Sequence, residues 1–276
     1  GRPTSPWRQR SIDSVVADLA QLSRDSKYVY FSVDVIAPAF LTKLARRIVD
    51  EGIDIRWGAE LRLEPKFDSE SCDLLAQSGC VGISVGFESG NQRVLDLMNK
   101  GTKVESTKRV IQSFAAAGIG VQIMAFTDFP TESYEEALDS VRVLEELRED
   151  WIFGGLGSFV LTPGAIAARK PDQFGIAEIE AIPGEDTPFH LMYKLNAPAK
   201  SEDEKRSLDE RSDRLQRRFQ LKRPFLGGID TAHTYFYFGE YGTSTGKKLD
   251  AAVRKLDEDT LSTLLLVNLP ERYHSM

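Results

Sequence analysis

Along the first 160 or so residues, short apolar runs alternate with segments whose apolar positions recur every three or four residues, the periodicities of strand and helix. Five runs read as strands: YVYFSVD (28–34), IDIRWGAE (53–60), CVGISVGFES (80–89), IGVQIMAF (119–126) and IFGGLGSFVL (152–161). In the third, Val81, Ile83, Val85 and Phe87 are interleaved with Gly82 and Gly86, which suits a strand covered on both faces and closely approached by another backbone.

The intervening helices carry recognisable starts and stops. Ser11 can cap a helix with the face Val15, Val16, Leu19, Leu22, and Pro38 suits the first turn of one carrying Phe40, Leu41, Leu44 and Ile48. Thr102 with Glu105, and Ser133 with Glu136, have capping-box spacing and open helices carrying Ile111 and Phe114, then Ala137, Val141 and Leu144. Gly52, Gly79 and Gly118 fall where helices end, as a left-handed C-cap requires. Repeated βα units build a parallel sheet, and crossover handedness winds them into either a barrel or an open twisted sheet; the spacing leaves both open.

The regularity stops after Leu161. Two Pro- and Gly-rich stretches read as loops, with PFHLMYKL the best strand among them. The run SEDEKRSLDERSDRLQRRFQLKR, with Leu208, Leu215 and Phe219 at about helical spacing, reads as a solvated surface helix. Alternation at Tyr235, Phe236, Tyr237 and Phe238 predicts an aromatic strand, and a last helix is expected over about 250–268.

At 276 residues, 41% hydrophobic and 28% charged, the chain can bury a large core as one domain with an appendage. A net charge of −7 argues against a broad nucleic-acid footprint and favours a small-molecule or peptide substrate. No apolar run reaches the roughly 18 residues of a membrane span, and GRPTSPWRQRS lacks the apolar stretch of a signal peptide, so a cytoplasmic protein without a membrane partner is expected. Cys72 and Cys80 are too few for a disulfide framework, an iron–sulfur cluster or a structural zinc, and read as reduced packing residues. The chain therefore offers no metal ligands of its own. It starts at Gly1 rather than Met, which makes a longer polypeptide the expectation.

Chemistry in parallel α/β proteins gathers at the carboxyl ends of strands. There the sequence sets Asp34, then Glu60 with Arg62, then Glu88-Ser89-Gly90, and beyond the next helix Leu97-Met98-Asn99-Lys100-Gly101-Thr102. The fourth strand leads into Asp128-Phe129-Pro130-Thr131-Glu132-Ser133. Bland roles exist for each: helix caps for Asp34 and Glu88, a surface ion pair for Arg62, a solvated helix-end cation for Lys100. Carboxylates at buried strand ends nevertheless point to function. His190 and His274 read as structural or incidental, and His233 as a packing residue.

Taken in order, these residues resemble the radical SAM superfamily, in particular its cluster of cobalamin-dependent enzymes, methylthiotransferases and the oxygen-independent coproporphyrinogen oxidase type. The resemblance covers roughly residues 1–160. Trp7, Arg8, Arg10 and Ser11 match its aromatic-Arg-x-Arg-Ser stretch, Asp34 the acidic strand end, Glu60 and Arg62 its Glu-x-Arg, and Gly86, Glu88, Ser89 and Gly90 its Gly-x-Glu-Ser-Gly. Two departures stand out. The family's Gly-x-Pro-Gly-Glu-Thr loop keeps Pro130 and Glu132 but loses both glycines, which implies a stiffer loop, and the Cys-x-x-x-Cys-x-x-Cys loop is expected upstream of Gly1.

The resemblance implies an α/β fold, a partial (β/α)6 TIM-like barrel missing its first strand over 1–165, followed by an α+β extension over 166–276. It implies an enzyme that binds S-adenosylmethionine for 5′-deoxyadenosyl radical chemistry or methyl transfer, inactive as this chain alone. A 4Fe-4S cluster with ligands outside the chain is the expected partner cofactor, and the Phe-Glu-Ser-Gly and Asn-Lys-Gly-Thr details add cobalamin. Asp34, Glu60 and Glu88 would accept from the ammonium or ribose of S-adenosylmethionine, Arg62 and Lys100 would hold its carboxylate, and Ser89 would touch the ribose; no catalytic residue is assigned. The competing readings are an iron-free aldolase-like or phosphate-binding barrel, for which Gly154, Gly155 and Gly157 are a weak match, and a non-catalytic scaffold that lost its cluster.

Overall fold

In the computed structural model, which describes residues 9–33, 36–184 and 189–222 together with Tyr235, Phe236, Phe238 and Gly239, the alternation becomes a run of βα units. In chain order these are α1 (Ile12–Leu22), β1 (Tyr28–Phe31), α2 (Pro38–Asp50), β2 (Arg56–Leu61), α3 (Ser69–Gln77), β3 (Cys80–Glu88), α4 (Gln92–Leu97), α5 (Val104–Ala116), β4 (Gly120–Thr127), α6 (Tyr134–Glu146) and β5 (Phe153–Ser158). The five strands are parallel and their order in the sheet, β1-β2-β3-β4-β5, never reverses. With right-handed crossovers, an unreversed order puts every helix on one face, which is the partial-barrel solution rather than the doubly wound one.

Parallel register assigns the two faces. Trp57, Ala59 and Leu61 of β2, Ile83 and Val85 of β3, and Val121 and Ile123 of β4 point outward. They are buried with Leu41, Leu44 and Ile48 of α2, Leu75 of α3, Ile111 and Phe114 of α5, and Val141 and Leu144 of α6. The opposite, inner face carries Gly58, Glu60, Gly82, Ser84, Gly86, Gly120, Gln122, Met124, Gly155 and Gly157.

Local signals fared unevenly. Ser11 caps α1 by accepting from the Ser14 N–H, Pro38 opens α2, and Ser133 with Glu136 forms a complete capping box on α6. Gly52, Gly79 and Gly118 have φ of 63°, 93° and 79°, the left-handed values expected of them. The Thr102–Glu105 box does not form. Lys103 is the N-cap of α5, and the Gln92 side chain takes its place, accepting from the Val104 N–H and donating to the Thr102 carbonyl, both at 3.2 Å.

Beyond the sheet come α7 (Ile166–Arg169), the antiparallel pair β6 (Ile176–Ala181) and β7 (Leu191–Leu195), and α8 (Glu202–Lys222). β7 was expected and β6 was not. α8 buries Leu208, and the Ser207 hydroxyl lies 2.9 Å from that of Tyr134 on α6.

The expected aromatic strand is helical at Tyr235, Phe236, Phe238 and Gly239. A three-residue step brings Tyr235 and Phe238 to one side, where the glycine row Gly58, Gly82 and Gly120 leaves room for rings. A Cβ on Gly82 would sit 2.2 Å from Tyr235 Cδ1, and one on Gly120 would sit 2.9 Å from Phe238 Cδ1. His233 and the expected last helix lie outside the described residues.

Candidate active site

The inner face is layered. Its row nearest the strand starts has glycine on β2, β3 and β4 and Tyr30 on β1, and the space over the glycines is filled by Phe238 and by Tyr235, whose ring stacks on that of Tyr30. The next row is polar: Glu60, Ser84 and Gln122 are in register, and Gln122 Oε1 accepts from the Ser84 hydroxyl at 3.3 Å and the Tyr235 hydroxyl at 3.2 Å. Tyr235 is fully buried, and that burial pushes its hydroxyl above the ordinary phenol range. Above it, Gly86, Met124 and Gly155 form a third row, in which Met124 is exposed and no described residue approaches the Cβ position of Gly155.

Glu88 closes β3 at the upper rim. The register with β4 slips between Gly86 and Glu88, and Glu88 takes φ 65°, a left-handed value that costs a non-glycine residue about 1–2 kcal/mol. The consequence is that its carboxylate folds back over Gly86, with Oε1 2.7 Å from where a Cβ would stand there. Glu60 and Glu88 therefore share the inner face. Lys100 Nζ donates to Glu88 Oε1 at 2.6 Å, and Arg62 Nη2 donates to the Lys100 carbonyl oxygen at 3.0 Å.

Ser89 is turned away from this rim. It is buried, its hydroxyl accepts from the Asn91 N–H at 3.1 Å and lies 3.3 Å from the Ser140 hydroxyl of α6. The left-handed turn at Glu88 rotates the next side chain outward, so the expected ribose contact is replaced by a helix-docking one. Gly90 belongs to the same junction: its N–H donates to Ser140 Oγ at 2.8 Å, and a Cβ would meet the Asp139 carbonyl oxygen at 2.7 Å. Asp34 lies outside the described residues.

A second polar cluster stands where β4 enters α6, and sequence reasoning missed most of it. Asp128 and Thr131 occupy the two positions that are glycine in the resembling loop, and both are left-handed, with φ of 65° and 72°. The buried Glu132 carboxylate accepts from the Asp128 N–H at 2.6 Å, and Lys200 reaches in from just before α8, 3.1 Å from Asp128 and 3.2 Å from Glu132. Burial pushes the Glu132 carboxyl above the ordinary carboxylate range, with Lys200 opposing it, and Glu132 Oε1 has no hydrogen-bond partner among the described residues. Arg93 of α4 holds the other side, donating to the Thr131 carbonyl at 2.9 Å and to both carboxylate oxygens of Glu136. Asp128, Phe129, Tyr193, Lys200 and Leu208 line a cavity of about 480 Å³ beside this loop.

Among the described residues no cluster of His, Cys, Asp or Glu is arranged to hold a metal ion. Cys72 is buried in α3 and Cys80 at the start of β3, with burial pushing the Cys72 thiol up to about 12 and that of Cys80 higher still. These residues do not fit an iron–sulfur cluster. No described helix is long and apolar enough to cross a membrane.

A model of the Radical SAM superfamily matches residues 2–144. The chain is 24% identical over 151 residues to the uncharacterized methyltransferase PH0819 of Pyrococcus horikoshii, and 29% identical over 167 residues to bacteriochlorophyllide d C-12(1)-methyltransferase of Chlorobaculum tepidum. These alignments take in 52% and 57% of the chain but only 32% and 36% of the relatives, so the chain spans about a third of their length. Among solved structures, the methyltransferase TsrM from Kitasatospora setae, with cobalamin and a [4Fe-4S] cluster or with tryptophan and aza-SAM bound, aligns with 90% of this chain and 56% of its own. The TM-scores are 0.60 and 0.62 at 17% and 19% identity, a likeness of fold.

Proposed function

The chain belongs to the radical SAM superfamily, and from that premise we propose that the inner rim at the end of β3 binds S-adenosylmethionine for methyl transfer or related radical chemistry on a small molecule in the cytoplasm. One observation carries this reading: Glu88 is held in a left-handed conformation at a register slip, which turns its carboxylate onto the inner face against Lys100. Backbone strain of this kind persists where the surroundings enforce it, and it gathers at ligand sites.

The rim has the groups the ligand needs. Glu88 accepts from ribose hydroxyls or the ammonium, Lys100 turns from Glu88 to the ligand carboxylate, and Glu60 offers a second acceptor one row deeper on the same face. Tyr235 and Phe238 fill the bottom of the inner face and keep water from entering there. A 4Fe-4S cluster, when bound, would supply the electron for cleavage of S-adenosylmethionine; no group of described residues is arranged to hold it. The methyltransferase relatives favour methyl transfer, and the cobalamin in the TsrM structure makes cobalamin the proposed second cofactor of the whole protein. The net charge of −7 favours a small-molecule substrate over a nucleic acid.

Calorimetric titration of the chain with S-adenosylmethionine tests the site. Glu88→Ala is expected to weaken binding about tenfold or more, the value of one hydrogen bond to a charged group. Equal heats and affinities in both proteins would overturn the assignment.

A further inference from the structure

We propose that Arg62 is a positioning residue, which fixes the Lys100 turn so that the Lys100 ammonium stays at the rim, and does not itself grip the ligand. The inference rests on the S-adenosylmethionine reading of that rim, and it replaces the expected contact between Arg62 and the ligand carboxylate.

The segment Arg62 touches is held at its two ends, by the Asn99 N–H on the Asp96 carbonyl at 3.1 Å and by the Gln92 amide on the Thr102 carbonyl at 3.2 Å, and neither contact reaches the Lys100 carbonyl. α4 ends at Leu97, and Lys100 stands between two left-handed residues, Asn99 at φ 54° and Gly101 at φ 68°. Its own N–H reaches back to the Leu95 carbonyl at 3.3 Å, a long hydrogen bond, and no described atom lies within 4 Å of the Cβ position of Gly101. The Lys100 side chain is 42% exposed, so packing does not hold it. Against this, Arg62 Nη2 donates to the Lys100 carbonyl oxygen at 3.0 Å from a loop 38 residues earlier, tying the end of β2 to the exit of α4. The guanidinium thereby fixes the backbone from which the ammonium reaches Glu88 at 2.6 Å. A donor committed to a main-chain carbonyl at this point shapes the rim whether or not ligand is bound.

A double-mutant cycle separates positioning from direct contact. S-adenosylmethionine is titrated into the wild-type chain, Arg62→Met, Lys100→Met and the double variant, with melting temperatures recorded for all four. Positioning predicts that each single change weakens binding by about tenfold, that the double variant is no weaker than Lys100→Met, and that Arg62→Met lowers the melting temperature by no more than the loss of one hydrogen bond does, so all four proteins remain folded in the titration. Arg62→Lys, which keeps one donor for the carbonyl but loses the planar fork, should retain most of the affinity. Losses that multiply to about a hundredfold in the double variant, or an Arg62→Lys as weak as Arg62→Met, would show a direct grip and overturn the proposal. Amide hydrogen exchange without ligand provides an independent arm: Arg62→Met should speed exchange across 99–102 by about tenfold, the loss of one hydrogen bond. An unchanged rate there sinks the positioning role by itself, whereas a wild-type chain that shows the exchange effect but no binding sinks only the S-adenosylmethionine reading.

Discussion

Replacing Lys200 by Met should destabilise the fold by about 3 kcal/mol at neutral pH and by much less in acid. The lysine side chain is 3% exposed, and its ammonium lies 3.1 Å from Asp128 and 3.2 Å from the fully buried Glu132. Removing one partner of a buried pair costs about 3–5 kcal/mol, because the other charge loses its compensation. Asp128 is 35% exposed and water screens its share, so Glu132 dominates and the lower end of that range applies. The pH dependence follows from the direction of the Glu132 shift. Burial raises its carboxyl above the ordinary range while Lys200 pulls it down, so the folded chain holds this proton more tightly than the unfolded one. Such a group favours folding most below its unfolded pKa, and the benefit is lost as pH rises through the raised folded value. Without Lys200 the folded value climbs further, and the deficit of the variant opens over that widened window. Below it Glu132 is neutral in both proteins and has no charge to compensate. Urea unfolding followed by circular dichroism at about pH 4, below the ordinary glutamate value, and at about pH 8 provides the comparison. Equal losses at both pH values, or a variant as stable as wild type at the higher one, would refute the reasoning.

Three further perturbations bear on the same architecture. Thr131→Gly relieves a β-branched residue at φ 72° and should raise stability by about 1 kcal/mol, read as an increase in melting temperature, because the left-handed penalty exceeds the added entropy of glycine. Gly82→Ala puts a Cβ 2.2 Å from the Tyr235 ring and should cost about 3 kcal/mol by expelling it; combined with Tyr235→Ala it should cost little more than Tyr235→Ala alone. Neither thiol should react with iodoacetamide in the native state, since burial lifts Cys72 to about 12 and Cys80 further, and both should label rapidly in urea.

The elements legible in the sequence are those whose causes are local. The five strands, the Ser133 capping box and the left-handed glycines depend on residues within a turn of one another. Failures begin where a distant or competing group decides. Thr102 has the spacing of a cap, yet the Gln92 amide ten residues earlier intercepts both backbone groups. Tyr235 to Phe238 are all aromatic, so period two and period three fit equally well, and the glycine row that selects the helical form comes from three other strands. At the site, Glu60 and Glu88 are legible as carboxylates at strand ends, but the register slip and left-handed turn that lay Glu88 over Gly86 and send Ser89 to α6 leave no mark in the alternation of β3. Lys200 was invisible because its carboxylates lie 72 and 68 residues away, and Tyr235 because Gln122 lies 113 residues away.

The loop after β4 shows what a glycine motif encodes. Loss of both glycines predicted a stiffer loop, but the backbone at Asp128 and Thr131 is still left-handed, the conformation for which glycine is the default residue. The chain has kept a shape while giving up the residue type that makes it inexpensive, at about 1–2 kcal/mol for each position. That cost must be offset by groups that bind the loop only in this conformation, and the structure supplies them from both sides: Lys200 on Asp128 and Glu132, and Arg93 on the Thr131 carbonyl. One clamp comes from the segment before α8 and the other from the helix that follows Glu88, so the two βα junctions and the C-terminal extension are joined through a single strained loop. Restoring glycine at Thr131, which leaves both carboxylates facing Lys200 in place, should therefore make Lys200 less necessary, and the loss in Lys200→Met should shrink in a Thr131→Gly background. A loss of the same size in both backgrounds would mean that Lys200 compensates a buried charge and nothing more.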